Sequence, residues 1–357
     1  MNKEEAQRQS IVINSLRFPA TILMIASHCV ITLKTETIPY TFSIDNIFLM
    51  LEHLCLSFGP ISVSVFALIT GYFFFFKTQT YNFQNYKNDL SKRIKTLLIP
   101  YLLWNIIALV LLYGKNYIGS KIHLSFAYNE YEMDFITGHN FFEHMILPVN
   151  GPLWYVQECI YFTVLSPIVY FFVHKKMLGK LFLFLLFLVS YFFVFRVAHF
   201  TCFFALGAYL GLHKESILDF AKKIRIWGYA LGWIYPYLRI FYGSEEWADN
   251  LRIYTLFFCI IAIINIGSFI YDKQKNLSIY LASFAPSVFF VYSLHMVLIV
   301  NLVRGTLYAI LPWDNTIEKI VALLATSIIV PILCYYIYRA VARLFPRLST
   351  ILSGGRG

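Results

Sequence analysis

The chain has 357 residues, 59% hydrophobic and only 13% charged, with a mean hydropathy of +0.65. Soluble domains carry about a quarter charged residues, so a water-soluble globule is excluded, and the lack of short alternating strands excludes a membrane β-barrel. The formal net charge of +10 suits the inner surface of a membrane better than nucleic acid.

The expected fold class is all-α: a polytopic integral membrane bundle of ten transmembrane helices, a single domain over 1–357 with its core at about 11–340. The first apolar segment, about 11–33, is too long for the core of a cleavable signal peptide and lacks a small-residue cleavage site. It is expected to remain as the first span. Further spans are expected at about 50–76, 96–114, 153–173, 177–195, 197–212, 226–243, 253–271, 278–302 and 317–338. The fifth and sixth are divided only by "RVAH", and the sixth is short.

Charge tests this order. With the N-terminus inside, the inner segments hold 20 of the 29 basic residues, with Arg17 inside a span and 8 outside. Most acidic residues fall in the outer segments. Excess Lys and Arg marks cytoplasmic loops, so both termini are expected in the cytoplasm. The longest loop, about 115–152, falls outside and carries Glu130, Asp134, His139 and His144 among aromatics. His139 and His144 are five apart, a poor helical ligand spacing, and no metal is expected. The six cysteines lie scattered in apolar segments without a C-x-x-C pair and read as small buried hydrophobes. No inverted repeat of the kind found in many transporters is visible.

Ionisable residues at membrane depth cost about 2.5–3.5 kcal/mol each on insertion scales and are functional candidates by default. Arg17 and His28 share the first span. Eleven residues advance a helix by about 1100°, close to three full turns, and by about 16 Å. Both side chains therefore face one side, with Arg17 toward the cytoplasm and His28 toward the outside. Taken alone, each also fits a plainer role, Arg17 snorkelling to headgroups and His28 as a hydrogen-bonded core imidazole.

Glu158, in "GPLWYVQECIYF" on the fourth span, falls at a depth comparable with His28. A His–Glu pair is what acid–base chemistry needs. A structural tie to another helix is the alternative. His295, in "VFFVYSLHMVLIV" on the ninth span, also falls in the outer half. On the inner side, "SKRIKTLLIPYLLWN" sets Lys92, Arg93 and Lys95 at the foot of the third span, where they serve topology or a phosphate-binding mouth.

These segments resemble the membrane acyltransferase family 3, ten-helix transferases that acylate bacterial surface sugars. The Arg–ten–His motif is met by "RFPATILMIASH" (Arg17, His28). "ISVSVFALITGYFFFF" is similar to the family's apolar run ending in a hydroxyl residue, Gly and an aromatic, here Thr70, Gly71 and Tyr72. "RIKTLLIPYLLW", "GPLWYVQECIYF", "FFALGAYLG" and "VYSLHMVLI" follow in family order. Pro19, just after the motif arginine, departs from the usual pattern and suggests a bend. No hydrolase-like domain is appended, which implies a stand-alone member.

The resemblance implies an acyl-CoA-dependent O-acyltransferase of the bacterial cytoplasmic (inner) membrane. Acyl-CoA, with acetyl-CoA the family default, is a co-substrate, and no permanently bound cofactor is implied. Its phosphates would meet Arg17, Arg93 and Lys95. His28, with Glu158, would act as general base on a sugar hydroxyl or an intermediate nucleophile. The acceptor would be a surface glycan or lipid-linked sugar, held by Trp154, Tyr155, Tyr292 and His295, within membrane lipid and without nucleic acid. A proton-coupled transporter or flippase, or an acyltransferase for small molecules, are the alternative readings.

Overall fold

A computed structural model describes residues 3–31, 43–77, 81–122, 148–192, 196–243 and 245–355. The described residues form helices and turns, with no strand among them. The chain divides into two compact units. The first comprises Met1–Asn88 and Val164–Ala285, the second Asp89–Thr163 and Pro286–Gly357.

The helices of the first part of the chain are α1 (Lys3–His28), α2 (Ile44–Phe76) and α3 (Phe83–Arg93). A π-helical turn at Ile94–Leu98 then leads into α4 (Ile99–Ile122). After a 3₁₀ turn at Gly151–Leu153 come α5 (Trp154–Val164), α6 (Ser166–Val173), α7 (Lys176–Val189) and α8 (Arg196–Leu212). Next are α9 (Ile217–Lys223), α10 (Arg225–Leu231), α11 (Ile234–Phe241), α12 (Glu246–Lys273) and α13 (Lys275–Ala282). The chain closes with α14 (Val288–Leu294), a second π turn at His295–Ile299, α15 (Val300–Ile310), α16 (Thr316–Leu344) and α17 (Pro346–Leu352).

Among the described residues six helical stretches are long and apolar enough to cross a membrane: Lys3–His28, Ile44–Phe76, Phe83–Leu112, Glu246–Lys273, Lys275–Ile310 and Thr316–Leu344. A seventh counts if the pair α5 and α6, bent by 66° at Leu165, is one span. The remaining expected spans also carry helices, but short ones. α7 has 14 residues and α8 has 17, against the roughly 20 that span a bilayer. The segment expected at 226–243 is split between α10 and α11, each of 7 or 8 residues.

Exposure follows lipid rather than water. On α16, Ile317, Val321, Leu324, Ile328, Ile332 and Tyr336 are all exposed. Their steps of three and four place them on one helical face. α7 shows the same stripe in Met177, Leu181, Phe184, Leu185 and Leu188. A soluble helix turns such a stripe to its core, so these faces meet hydrocarbon, and the protein is a multi-pass membrane protein.

In the first unit α2 packs closely on α8, and glycine makes that approach possible. A Cβ on Gly71 would lie 2.1 Å from the Phe204 carbonyl oxygen, and one on Gly207 would lie 2.1 Å from that of Leu68. Gly211 meets the Tyr72 carbonyl in the same way, at 2.3 Å. Small residues let membrane helices pack backbone to backbone where burial from water offers no driving force. This accounts physically for the glycines of "ITGYFFFF" and "FFALGAYLG".

α1 docks on α2 and on the α12–α13 region. Leu16 fills the space left by Gly267, and Phe18 stacks on Phe284 with centroids 4.9 Å apart. Near its start, buried Gln9 donates to the Tyr72 hydroxyl at 2.8 Å. Its Oε1 accepts from Ser216 Oγ at 2.9 Å and from the Ile217 amide at 2.7 Å. One side chain thus satisfies an orphan donor at the start of α9 and ties α1 to α2. The preceding residue, Arg8, pairs with Asp272 and donates to Ser268 Oγ at 2.7 Å.

In the second unit the indole N–H of Trp104 on α4 donates to the Leu352 carbonyl at the end of α17, at 3.0 Å. Phe290 packs edge-on to Trp104 at 5.1 Å. Beyond α17 the chain turns through Gly354 at φ 65° and Gly355 at φ 74°. That left-handed backbone favours glycine, and here a Cβ on Gly354 would also lie 2.4 Å from the Thr96 carbonyl.

Candidate active site

The first unit contains both members of the Arg–ten–His pair. Arg17 and His28 lie on one uninterrupted helix, Lys3–His28, with Pro19 inside it. Helical geometry therefore holds as the sequence implies: one face, and about 16 Å between the two Cα atoms. Both side chains are half-buried. The Arg17 guanidinium lies 5.7 Å from the centre of the Phe73 ring on α2, a cation–π distance. The contact places Arg17 beside the Thr70–Gly71–Tyr72 segment that the α2–α8 glycines pull tight.

The helix ends at His28, earlier than the segment 11–33 suggests, and its start is earlier too. The cause of the early end is a buried carboxylate on α2. Glu52, 1% exposed, accepts the backbone N–H of Ile31 through Oε1 at 2.5 Å. Cys29 donates its amide to Ala26 and its thiol to Ile25, so the backbone leaves helical geometry within three residues of His28. A carboxylate bonded to a backbone amide is a charge-assisted contact.

The neighbour of Glu52, His53, is also buried. Its Nδ1 lies 3.1 Å from the Arg239 carbonyl oxygen on α11. A carbonyl only accepts, so Nδ1 carries the proton and, in the neutral ring, Nε2 keeps the lone pair. Glu52 and His53 were not among the residues singled out from the sequence. The signal was there: an adjacent acid and imidazole in "IFLMLEHLCLSF", inside an expected span.

At the opposite end of α2, Lys214 follows α8 at φ 57°. Its ammonium donates to the Phe76 carbonyl and lies 4.8 Å from the Phe76 ring. Burial there pushes its pKa down. A cation on the last carbonyls of a helix opposes the negative end of its dipole.

The second unit holds the remaining expected residues. Tyr155 and Tyr292 meet edge to face with centroids 6.1 Å apart, and Tyr292 lies 6.2 Å from the His295 ring. The Tyr292 hydroxyl donates to the Pro152 carbonyl. His295 is fully buried at the first position of the π turn, its Nδ1 donating to the Tyr292 carbonyl at 2.6 Å. So Tyr155, Tyr292 and His295 form one cluster. Asn150 joins it from the 3₁₀ turn, donating through Nδ2 to the Ser293 carbonyl at 2.6 Å. π turns recur at functional sites.

Trp154 and Glu158 lie on α5, both half-buried. Arg93 ends α3 half-buried, while Lys95, in the first π turn, is exposed. Lys92 pairs with Asp89 at 3.7 Å. Glu158 belongs to the second unit and His28 to the first. Glu52 is the carboxylate that the first unit itself sets at the His28 end of α1. Of the outer loop, Glu130, Asp134, His139 and His144 lie outside the described residues.

Fold and site define a class: a multi-pass helical membrane protein with half-buried Arg17 and His28 on one helix and buried Glu52 and His53 on the helix packed against it. The chain belongs to the acyltransferase 3 family, whose profile, described as "Acyltransferase domain", matches residues 11–338. The match takes in nearly the whole chain, and the protein is a membrane acyltransferase. No curated protein and no solved structure matches the chain.

Proposed function

We propose that the protein transfers an acyl group, acetyl by family default, from cytoplasmic acyl-CoA to a hydroxyl of a cell-surface or lipid-linked glycan. The observation that carries this reading is the unbroken helix bearing Arg17 and His28 in a chain of the acyltransferase 3 family. In this reading the chain crosses the bacterial cytoplasmic membrane ten times with both termini inside. The donor's phosphates engage Arg17, with Arg93 and Lys95 adding positive charge at the mouth. The pantetheine arm follows α1 outward for about 16 Å.

His28 takes the proton of the attacking hydroxyl. The new C–O bond forms as the thioester C–S bond breaks, and the proton passes to the departing CoA thiolate. Glu158 is the carboxylate assigned to the acid–base step with His28, and Trp154, Tyr155, Tyr292 and His295 serve the acceptor side, aromatic rings lying against sugar faces. The Asn150 contact supports this, because it fixes the backbone beside His295.

The test is mass spectrometry of surface glycans from cells lacking the gene, complemented with wild type or with His28→Ala. Wild type restores the acyl mass and His28→Ala does not, at equal membrane abundance. Full restoration by His28→Ala removes the base assignment. An unchanged glycan profile in the deletion strain removes the glycan acceptor.

A further inference from the structure

A second polar site lies in the first unit, away from the Arg17–His28 face of α1. Tyr235, Leu238, Arg239, Tyr242 and Gly243, from α11 and its end, face Asp249, Arg252 and Thr255 of α12 across a small, partly open cleft. It falls far short of the roughly 300–1,000 Å³ that encloses a whole small molecule, so the cleft suits one small substituent rather than a sugar.

Its lining is cationic. Arg252 is paired with Asp249. Arg239 has no carboxylate partner among the described residues, and its one side-chain hydrogen bond there is a long one, 3.5 Å, to the Gly243 carbonyl. A guanidinium has five N–H donors and no acceptor, so most of its donors remain to be met. Independently, Tyr235 lines the same cleft at 2% exposure, and its buried hydroxyl has no hydrogen-bond partner among the described residues. Buried polar atoms are almost always bonded. An unmet phenol and a guanidinium that shares the field of Asp249 with Arg252, both able to donate, line one small space.

We infer that this cleft binds an oxyanion, specifically a phosphate ester presented at the membrane surface. An acceptor-only, negatively charged group satisfies Tyr235 and Arg239 together, with the neutral Arg252–Asp249 pair as its wall. In the charge-derived topology the turn between α11 and α12 is on the outer side. His53, bonded to the Arg239 backbone and adjacent to Glu52, links the cleft to the end of α1 that carries His28. A phospholipid headgroup and the phosphate of a sugar acceptor offer the same chemistry, and the experiment separates them.

The full chain, purified in neutral detergent, is titrated with glucose 1-phosphate and with phosphatidylglycerol in mixed micelles. Glucose and diacylglycerol serve as uncharged counterparts, and thermal stabilisation is the readout. Saturable stabilisation by a phosphate probe and not by its counterpart is expected. Arg239→Gln weakens it by more than about tenfold and Tyr235→Phe by about fivefold. A response to glucose 1-phosphate assigns the site to a sugar phosphate, and a response to phosphatidylglycerol alone assigns it to lipid. The inference is overturned if neither probe stabilises the wild type saturably, or if both variants bind as wild type does. Should Arg239→Gln fail to fold, Tyr235→Phe, which removes a single oxygen, decides. His28→Ala retains the binding, so this result stands or falls apart from the transfer reaction.

Discussion

Adding one methyl group at Gly207 tests how tightly α2 and α8 are coupled to Arg17. The Cβ of Gly207→Ala would lie 2.1 Å from the Leu68 carbonyl oxygen and 2.8 Å from the Tyr72 nitrogen, where ordinary contact begins at 3.4 Å. The deficit of about 1.3 Å is against backbone, which cannot rotate aside as a side chain can. The helices must part, and overpacking of this kind costs about 1–3 kcal/mol, here the top of that range. For a unit of this size that lowers the melting temperature by roughly 6–12 °C. Parting also draws Tyr72 from Gln9 and Phe73 from Arg17, so acyl-donor affinity should fall as well. The assay is thermal unfolding of the detergent-purified chain, with Gly305→Ala as control. A Cβ on Gly305, inside α15, meets nothing within 4 Å, and a helical Gly→Ala change there is neutral or stabilising by up to about 1 kcal/mol. If Gly207→Ala melts with the wild type, or no lower than Gly305→Ala, the close-packing argument is wrong.

Three further outcomes are expected. Arg17→Ala raises the KM for the acyl donor by tenfold or more with a smaller change in kcat; an unchanged KM takes Arg17 out of the donor site. Glu52→Ala leaves the half-buried Ile31 amide without this acceptor and destabilises by about 1–3 kcal/mol, whereas Glu52→Gln, which keeps a carbonyl acceptor, loses less than half of that. Equal losses in thermal melts would show that the amide bond is not what Glu52 supplies. Gln9→Leu removes three hydrogen bonds at the foot of α1 and costs about 2–3 kcal/mol, read by denaturant titration of the purified chain against wild type.

Composition and spacing made the helical membrane class legible, because a 13% charged chain has few other options. They also made Arg17 and His28 legible, since one helix of known pitch relates them. Helix ends were less so. α1 begins at Lys3 because its polar first turns are held by Arg8 and Gln9, contacts with residues more than 200 positions away. It stops at His28 because Glu52, from another helix, takes the Ile31 amide. The segment at 226–243 reads as one apolar run, yet it breaks between Leu231 and Ile234, where Gly232 packs against the Phe258 backbone of α12. The cleft at Tyr235, Arg239 and Arg252 was not foreseen, since its members come from two helices and no spacing joins them. Each of these depends on tertiary partners, which periodicity does not encode.

The π turns at Ile94–Leu98 and His295–Ile299 amount to one surplus residue apiece in otherwise regular helices. One residue is about 100° of helical rotation. Removing a single position from either turn would let the helix close its ladder normally and swing everything beyond it by that angle. α15 would then turn Leu302 and Tyr308, now exposed, away from lipid. The sequence between His295 and Ile310 is thus phased to a defect: its apolar face is correct only while the extra residue stays in place. A one-residue deletion there acts as a change of orientation for a whole helix, and an alignment that closes the gap would misassign every face downstream.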